Sequence, residues 1–394
     1  MPNTPKGFLF AVADAGFRKQ RRNDTALVLS TQPASVAAVF TLNKFCAAPV
    51  IVGKEILKQG QAARAVLVNS GQANACTGDL GLKNCKSVLT MLAEKLDLVP
   101  QDILPASTGV IGQQFDMEKW ENVIPELAEK LGKNSAVDFA DAILTTDAFR
   151  KVSSRQVNLS GGGVNLLGMA KGAGMICPNM ATMISVVLCD AQVEPELWQQ
   201  LLSKAVGKTF NRVSVDGDTS TNDTLYGLAN GASGVVAGEK DAAVLLEALT
   251  AVLAELAYLL VKDGEGATKV LHINVSGAKN DADAELVART IGHSPLVKTA
   301  IYGHDANWGR IVAAIGRSGA DFNPDEVRVS LCGHEIFTKG QPVDFDFDPV
   351  LTPLLKEEID IPIDVCMGNG KGVYSFQASD LGHAYIDCNA SYRS

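Results

Sequence analysis

Several features that mark other classes of protein are scarce or missing in this chain of 394 residues. Its net charge is -9, which makes nucleic acid and anionic membranes poor candidate partners. Its most apolar stretch, residues 242–261, contains two glutamates, and this favours a soluble helix over a membrane span. No signal or transit peptide is recognisable at the start of the sequence, so we expect a cytoplasmic location.

Metal-binding patterns are also missing. The eight cysteines include no CxxC pair, and the five histidines lack HxxxH spacing. We therefore expect reduced, mostly buried thiols, no metal site and no cofactor. The acid-rich residues 216–223 lack the glycine and glutamate that a calcium loop requires at its sixth and twelfth positions. They are interpreted as turn and helix-cap hydrogen-bonding residues near a site.

The composition that is present, 46% apolar and 20% charged, is typical of a globular protein. Strand-like segments at 36–45 and 65–70 alternate with helical patterns at 85–96, 120–131, from Pro195, and at 241–261. This mixture predicts an α/β or α+β fold of layered sheets and helices. The length suggests two or three domains. We place the boundaries near Ala191 and Asn280, which gives a core domain 1–190, a middle domain 191–280 and a C-terminal domain 281–394.

The most unusual segment is GMAKGAGMICPNMATMISVVLCD at residues 168–190. Gly172 and Gly174 permit tight or left-handed backbone, and Pro178 forces its predecessor away from helix. Small Ala181 then precedes Thr182, and a buried strand is predicted to follow. A hydroxyl residue is thus placed where a constrained loop enters a strand.

Two interpretations of this segment are open from the residues alone. In the first, the Thr182 hydroxyl attacks the Ala181 carbonyl, the peptide shifts to an ester, and water cleaves it. Thr182 would then carry a free α-amine with a reference pKa of about 7.7–8, and such an amine serves as its own base. In the second, a glycine-rich loop simply leads into a core strand, and Thr182 starts that strand.

The string MAKGAGMICPNMATMISVVLCDA resembles the self-cleavage segment of the ornithine acetyltransferase family, the glutamate N-acetyltransferases of arginine biosynthesis. Other blocks are similar to the same family along nearly the whole chain: NKFCAAPV at 43–50, NSGQANACTG at 69–78, STGVIG at 107–112, TTDAF at 145–149, FNRVSVDGDTSTNDT at 210–224, DGEGATK at 263–269, NWGRIVAAIG at 307–316 and CNASYRS at 388–394. The resemblance favours the first interpretation. It implies a fold of the aminopeptidase and ornithine acetyltransferase type, cleaved between Ala181 and Thr182 into chains 1–181 and 182–394.

The resemblance also implies the reaction. Thr182 would take the acetyl group from N-acetylornithine and pass it to glutamate through an acetyl-enzyme. The STGVIG block would supply the oxyanion hole, with Thr108 and Gly109 as donors. An ordinary turn is the alternative interpretation of that block.

Further residues are expected to bind substrate on the same grounds. Lys171 matches a substrate-binding lysine, and its cation suits a carboxylate. One of Thr145 and Thr146 is expected to contact substrate, without a basis for choosing between them. The remaining expected contacts are Thr182 itself, Glu265, Asn389 and Ser394. The alternatives are a solvated surface lysine, a threonine cap, a solvated loop acid and a frayed chain end.

Some questions stay open at this stage. An N-terminal-nucleophile hydrolase or aminopeptidase on the same scaffold would cleave itself identically and use water as acceptor. The motifs do not state whether acetyl-CoA serves as a second donor. The resemblance suggests a heterotetramer of two α and two β chains. Three positions depart from the expected pattern, Gln72, Cys189 and Ser391, and they put substrate detail in doubt.

Overall fold

The computed structural model describes residues 2–60, 62–177, 183–344 and 346–390. The chain divides into two compact units, the first formed by Met1–Asn211 with Asp218–Leu260 and the second by Arg212–Gly217 with Val261–Ser394. The predicted boundaries near Ala191 and Asn280 fall inside the first and the second unit respectively, because β10 (Thr224–Ala229) pairs in the first sheet and β12 (Val270–Ala278) in the second.

The first unit contains strands and helices in alternation. Its strands are β1 (Phe8–Ala13), β2 (Thr25–Phe40), β3 (Ala62–Gln72), β4 (Ile103–Val110), β5 (Lys151–Leu159), β6 (Gly162–Lys171), β7 (Ile184–Cys189), β8 (Gln192–Val193), β10 and β11 (Val236–Ala237). Its helices are α1 (Ala48–Gln59), α2 (Gly78–Leu96), α3 (Met117–Lys130), α4 (Ala136–Ala142), α5 (Pro195–Lys208) and α6 (Ala242–Lys262).

The main sheet of this unit runs β4-β3-β2-β10-β7-β6-β5, with β1 also paired to β2. The long strand β2 pairs with β1 and β3 through its first part and with β10 through its last part, and its register to β3 shifts between Leu29 and Ala34. Such an irregularity bends a strand. Tyr226 of β10 donates to the Pro105 carbonyl of β4 at 3.0 Å, although these strands are not neighbours in the sheet. The sheet therefore curls so that β4 lies against one face of β10.

Helices cover the opposite face of the β10–β6 region. Gly227 points away from Tyr226, as successive strand residues do, and Trp198 of α5 packs on it and donates to its carbonyl at 2.9 Å. On β6, a Cβ at Gly168 would lie 2.7 Å from Val252 and from Leu256 of α6. The glycines thus allow both helices to approach the sheet closely.

Helix α6 is the most apolar helix of the described chain. The stretch Glu239–Lys262 is long and apolar enough to cross a membrane, yet half of its most apolar window is buried. Leu249, Val252 and Leu256 are fully buried. Their packing on β6 makes α6 a core helix. This agrees with the prediction, based on its two glutamates, that the segment is a helix of a soluble protein and not a membrane span.

The second unit is built on another mixed sheet, ordered β15-β14-β13-β16-β12-β17-β9. Its elements are β9 (Val213–Ser214), β12, α7 (Asp281–Gly292), α8 (Pro295–Tyr302), α9 (Trp308–Gly316), β13 (Arg328–Leu331), β14 (His334–Thr338), β15 (Gln341–Pro342), α10 (Asp348–Glu357), β16 (Asp360–Cys366), β17 (Gly372–Ser379) and α11 (His383–Asn389). Buried residues of α7, such as Val287 and Ile291, pack with β12 residues Leu271 and Ile273 in one apolar core. The predicted class of layered sheets and helices is confirmed in both units.

Two local predictions were wrong. The strand predicted at 36–45 ends at Phe40, because Thr41 and Asn43 turn their side chains to the backbone carbonyls of Ser220 and Thr219. The eight cysteines are free, but only Cys85, Cys177 and Cys189 are buried, since the others lie in loops or on half-exposed strand and helix faces.

Candidate functional site

The described chain is anchored on both sides of the predicted cleavage junction. Before it, Ile176 forms a bridge with Thr219, whose hydroxyl donates to the Cys177 carbonyl at 2.8 Å. After it, the amide of Thr224 donates to the Met183 carbonyl at 2.8 Å. Residues 219–224 therefore hold both flanks. Ala181 and Thr182 themselves lie outside the described residues, so the cleavage site and the nucleophile stay predictions.

Residues of the 216–223 segment do form hydrogen bonds near this junction, as predicted, and those of Asn222 reach a loop and a strand. Asn222 donates to the carbonyls of Ala73 at 2.6 Å and Ser107 at 2.8 Å. Thr221 in turn donates to the Asn222 amide oxygen at 2.7 Å. Asn222 thereby links the NSGQANACTG block to the residue that precedes Thr108.

Two of the predicted site residues meet in the first unit. Lys171 is the last residue of β6 and is only 8% exposed. Its Nζ donates to the Thr108 hydroxyl at 3.3 Å, and Thr108 lies on β4, where it pairs with Ser70 of β3. The predicted carboxylate anchor and the predicted oxyanion donor thus lie next to each other, and Lys171 is not a solvated surface lysine.

Gly109 follows Thr108 with a φ of +137°, a conformation that favours glycine. A Cβ at this position would lie 2.2 Å from the carbonyl carbon of Gly71 on β3. The close pairing of β4 with β3 at this point therefore excludes any other residue. This is a stricter constraint than an ordinary turn would impose.

The TTD turn is organised around Asp147, a residue that the sequence analysis did not single out. Its side chain is completely buried, and Oδ1 accepts from Lys151 Nζ at 2.8 Å and from the Gly172 amide at 2.6 Å. Its Oδ2 accepts from the Thr145 amide at 2.8 Å and from the Thr145 hydroxyl at 3.4 Å. Thr145 is half-buried in this network, whereas Thr146 is exposed.

Charge keeps Asp147 ionised. Burial alone would raise the pKa of its carboxyl, but the ammonium groups of Lys171 and Lys151 and the donated hydrogen bonds hold that pKa well below its usual range. The turn is further fixed from outside, since Arg18 donates to the Leu144 carbonyl at 2.6 Å and to the Thr145 carbonyl at 2.8 Å.

A second buried carboxyl near Lys171 behaves in the opposite way. Asp223 is 2% exposed, and burial raises its pKa well above the usual range, although Ser220, the charge of Lys171 and the Met183 backbone favour its ionised form. Its Oδ2 is buried and finds no hydrogen-bond partner in the part of the chain that the structure describes. Burial thus favours the protonated form of Asp223.

The second unit brings together two other predicted site residues. Asn389 of α11 donates to Glu265 Oε2 at 2.8 Å and also to the Tyr385 carbonyl at 3.0 Å. The loop of Glu265 reaches α11 because Gly266 has a φ of +71° and leaves no room for a Cβ, which would lie 2.6 Å from the Tyr385 nitrogen. Ser394 lies outside the described residues.

The thiol of Cys388 adjoins this pair. Its pKa is raised mainly by burial and further by the neighbouring Glu265 carboxylate. Asp380 fixes the other side of the loop by accepting from the Thr268 amide at 2.8 Å and from its hydroxyl at 2.5 Å. Within the described ranges, no group of three or more His, Cys, Asp or Glu side chains is arranged to hold a metal ion.

Known proteins match this chain over nearly its whole length. A family model described as the ArgJ family matches residues 9–394. A protein of Nitratidesulfovibrio vulgaris named arginine biosynthesis bifunctional protein ArgJ is 60% identical over 394 residues, which is 100% of both chains. A protein of Chlorobaculum tepidum with the same name is 45% identical over 392 residues, covering 99% of this chain and 96% of that one.

Solved structures with similar chains include the arginine biosynthesis bifunctional protein argJ of Bacillus halodurans. It is 39% identical, covers 52% of this chain and 96% of its own, and superposes with a TM-score of 0.49. The ornithine acetyltransferase of Mycobacterium tuberculosis, solved in complex with ornithine, is 33% identical, covers 45% of this chain and 94% of its own, and has a TM-score of 0.42.

Proposed function

The chain belongs to the ArgJ family, and we propose that it transfers an acetyl group from N2-acetyl-L-ornithine to L-glutamate through Thr182, after cleaving itself between Ala181 and Thr182. It is an acyltransferase of arginine biosynthesis. The observation that best supports a site for this reaction is the 3.3 Å contact between Lys171 Nζ and the Thr108 hydroxyl. In this contact the proposed carboxylate anchor lies next to the proposed oxyanion donor.

The proposed chemistry has two matching halves. The Thr182 hydroxyl attacks the acetyl carbonyl carbon of acetylornithine, and the free α-amine of Thr182 accepts the hydroxyl proton. Thr108 and Gly109 donate to the tetrahedral oxyanion, and each such donor is worth on the order of 10²–10³ in rate. The C–N bond then breaks, the proton passes to the amine of ornithine, and glutamate repeats the attack on the acetyl ester.

Substrate recognition in this proposal follows charge. Lys171 pairs with the α-carboxylate of the substrate. Both amino acids carry this group, so one lysine can serve both of them at the same site. One hydroxyl of Thr145 and Thr146 contacts the substrate, and Glu265, Asn389 and Ser394 add further contacts. We also propose that the cleaved chains assemble as a heterotetramer of two α and two β chains in the cytoplasm, without a cofactor.

The cleavage proposal is tested on a denaturing gel. Wild-type protein should give two bands of similar size in place of the 41.6 kDa chain. Thr182→Ala should give the intact chain, and Thr182→Ser, which keeps a hydroxyl, should retain cleavage. An intact wild-type chain would contradict the proposal.

The transfer proposal is tested by incubating the purified protein with acetylornithine, with and without glutamate. We expect ornithine release to depend on glutamate and to be matched by acetylglutamate. Ornithine release that ignores glutamate would instead identify a hydrolase. A parallel reaction with acetyl-CoA and glutamate decides whether acetyl-CoA is a second donor.

A further inference from the structure

We propose that Asp147 is a positioning residue, which sets the Lys171 ammonium for the α-carboxylate of the substrate. The inference rests on the proposed function, and it adds a residue to which neither the motifs nor the resemblance gave a role. Three chain segments contact one buried carboxylate, that of Asp147.

The contacts of Asp147 fix the end of β6. Its Oδ1 accepts the Gly172 amide at 2.6 Å, and Gly172 directly follows Lys171. Gly172 has a φ of +149°, so the chain changes direction at this bond. Holding that amide therefore determines where the Lys171 side chain leaves the strand.

The same carboxylate fixes the turn that carries the predicted substrate hydroxyls. Its Oδ2 accepts from the Thr145 amide at 2.8 Å, and Arg18 holds the Thr145 carbonyl from the other side at 2.8 Å. Asp147 is thus shared by the Lys171 strand end and the Thr145 turn. Sites of this kind lose about 10²-fold in rate when a group moves by about 1 Å.

The charges around Asp147 and Lys171 also favour a carboxylate ligand. One buried anion, Asp147, faces two cations, Lys151 at 2.8 Å and Lys171 through space. Asp147 and these two lysines together carry a net positive charge. A carboxylate ligand at Lys171 would balance that charge, whereas a ligand without a carboxylate would not.

The test compares two acetyl donors that differ only in that carboxylate: N2-acetylornithine and N-acetyl-1,4-diaminobutane. In wild type, kcat/KM should strongly favour acetylornithine. In Asp147→Asn, we expect this preference to fall by about 10–100-fold, the size expected for a displaced charge contact. A merely structural defect would lower kcat/KM for both donors by the same factor, and that result would overturn the proposal.

Two further variants keep the test decisive. Asp190→Asn changes another buried carboxylate of the same unit, which accepts the amides of Lys6 at 3.0 Å and Asn165 at 2.8 Å, and it should leave the preference unchanged. If Asp147→Asn alone does not fold, Asp147→Asn with Lys151→Met removes both charges of the buried pair and should still lose the preference. Wild-type protein that transfers no acetyl group would reject the proposed function instead, which separates the two failures.

Discussion

Asp147 and Asp223 are two buried aspartates under the influence of the same lysine, yet their pKa values are shifted in opposite directions. Asp147 receives a direct ion pair from Lys151, two backbone amides and a hydroxyl, and its pKa is held down. Asp223 has weaker support from Ser220 and Met183, and its pKa is raised. Burial is common to both, so the number and charge of the donors decide in which direction each pKa is shifted.

The raised pKa of Asp223 affects the charge around Lys171. A carboxyl with a raised pKa offsets less of the positive charge of Lys171 than one with an ordinary pKa would. In the proposal, Asp147 orients the lysine, and the protonated form that burial favours at Asp223 does not oppose a carboxylate ligand.

The largest expected effect comes from removing the charge of Asp147. Asp147→Asn leaves Lys151 buried without its counter-charge, and breaking such a pair costs about 3–5 kcal/mol in the free energy of unfolding. Urea denaturation at pH 7 measures this loss. The loss should shrink on acidification, because a carboxylate with a depressed pKa stabilises the fold above its unfolded pKa, and that contribution fades as the pH falls below it.

The double variant Asp147→Asn with Lys151→Met provides the control for that prediction. It removes both buried charges, so much of the lost stability should return. If the double variant is as unstable as Asp147→Asn, the cost arises from the hydrogen bonds of Asp147 and not from its charge.

Removing the carboxyl of Asp223 should have a smaller effect, with the opposite dependence on pH. A raised pKa means that the folded state binds more protons than the unfolded state, so wild type loses stability as pH rises above about 4, by up to ~1.4 kcal/mol per pH unit. Asp223→Asn cannot ionise and should escape this decline. Relative to wild type it should therefore gain stability between pH 4 and pH 7, by up to about 1.4 kcal/mol for each pH unit over which folded Asp223 stays protonated. Parallel stability profiles for the two proteins would contradict a raised pKa of Asp223.

Sequence patterns predicted the larger elements well. The β3 strand, the α2 helix, the start of α5 at Pro195 and the span of α6 all follow from local periodicity and capping chemistry. The end of β2 does not, because a tertiary contact to residues 219 and 220 terminates it. The contacts of Lys171 with Thr108 and of Glu265 with Asn389 join residues whose motifs the sequence had marked separately.

The charge states of the site were beyond sequence reasoning. Asp147 follows two threonines, and from sequence alone that pattern is equally typical of a cap. Its importance depends on Lys151 and on Gly172, which reaches it from 25 residues away. Asp223 sits among other acids and hydroxyls, and only its burial distinguishes it.

The next prediction tests the lysine that both aspartates share. Lys171→Met removes a cation that lowers the pKa of Asp147 and of Asp223, so both pKa values should rise. An opposite charge at close range shifts a carboxyl pKa by about 1–3 units, and we expect the loss of stability in acid to begin about 1 pH unit higher than in wild type. Acid denaturation followed by circular dichroism measures this shift. Lys130→Met, which removes an exposed partner of Glu126, should not move it.

The smallest effect is expected at Ser220, whose hydroxyl supports the ionised form of Asp223. Ser220→Ala should cost only about 0.5–1 kcal/mol at pH 7, the usual net size of a single hydrogen bond. The variant should also raise the pKa of Asp223 further, so the decline in stability should extend to higher pH. A double-mutant cycle with Asp223→Asn measures whether the serine acts through the aspartate, since coupled residues give non-additive changes. Strict additivity would show that Ser220 stabilises the loop by itself, through its contact with the Asn222 amide at 3.2 Å, and not through Asp223.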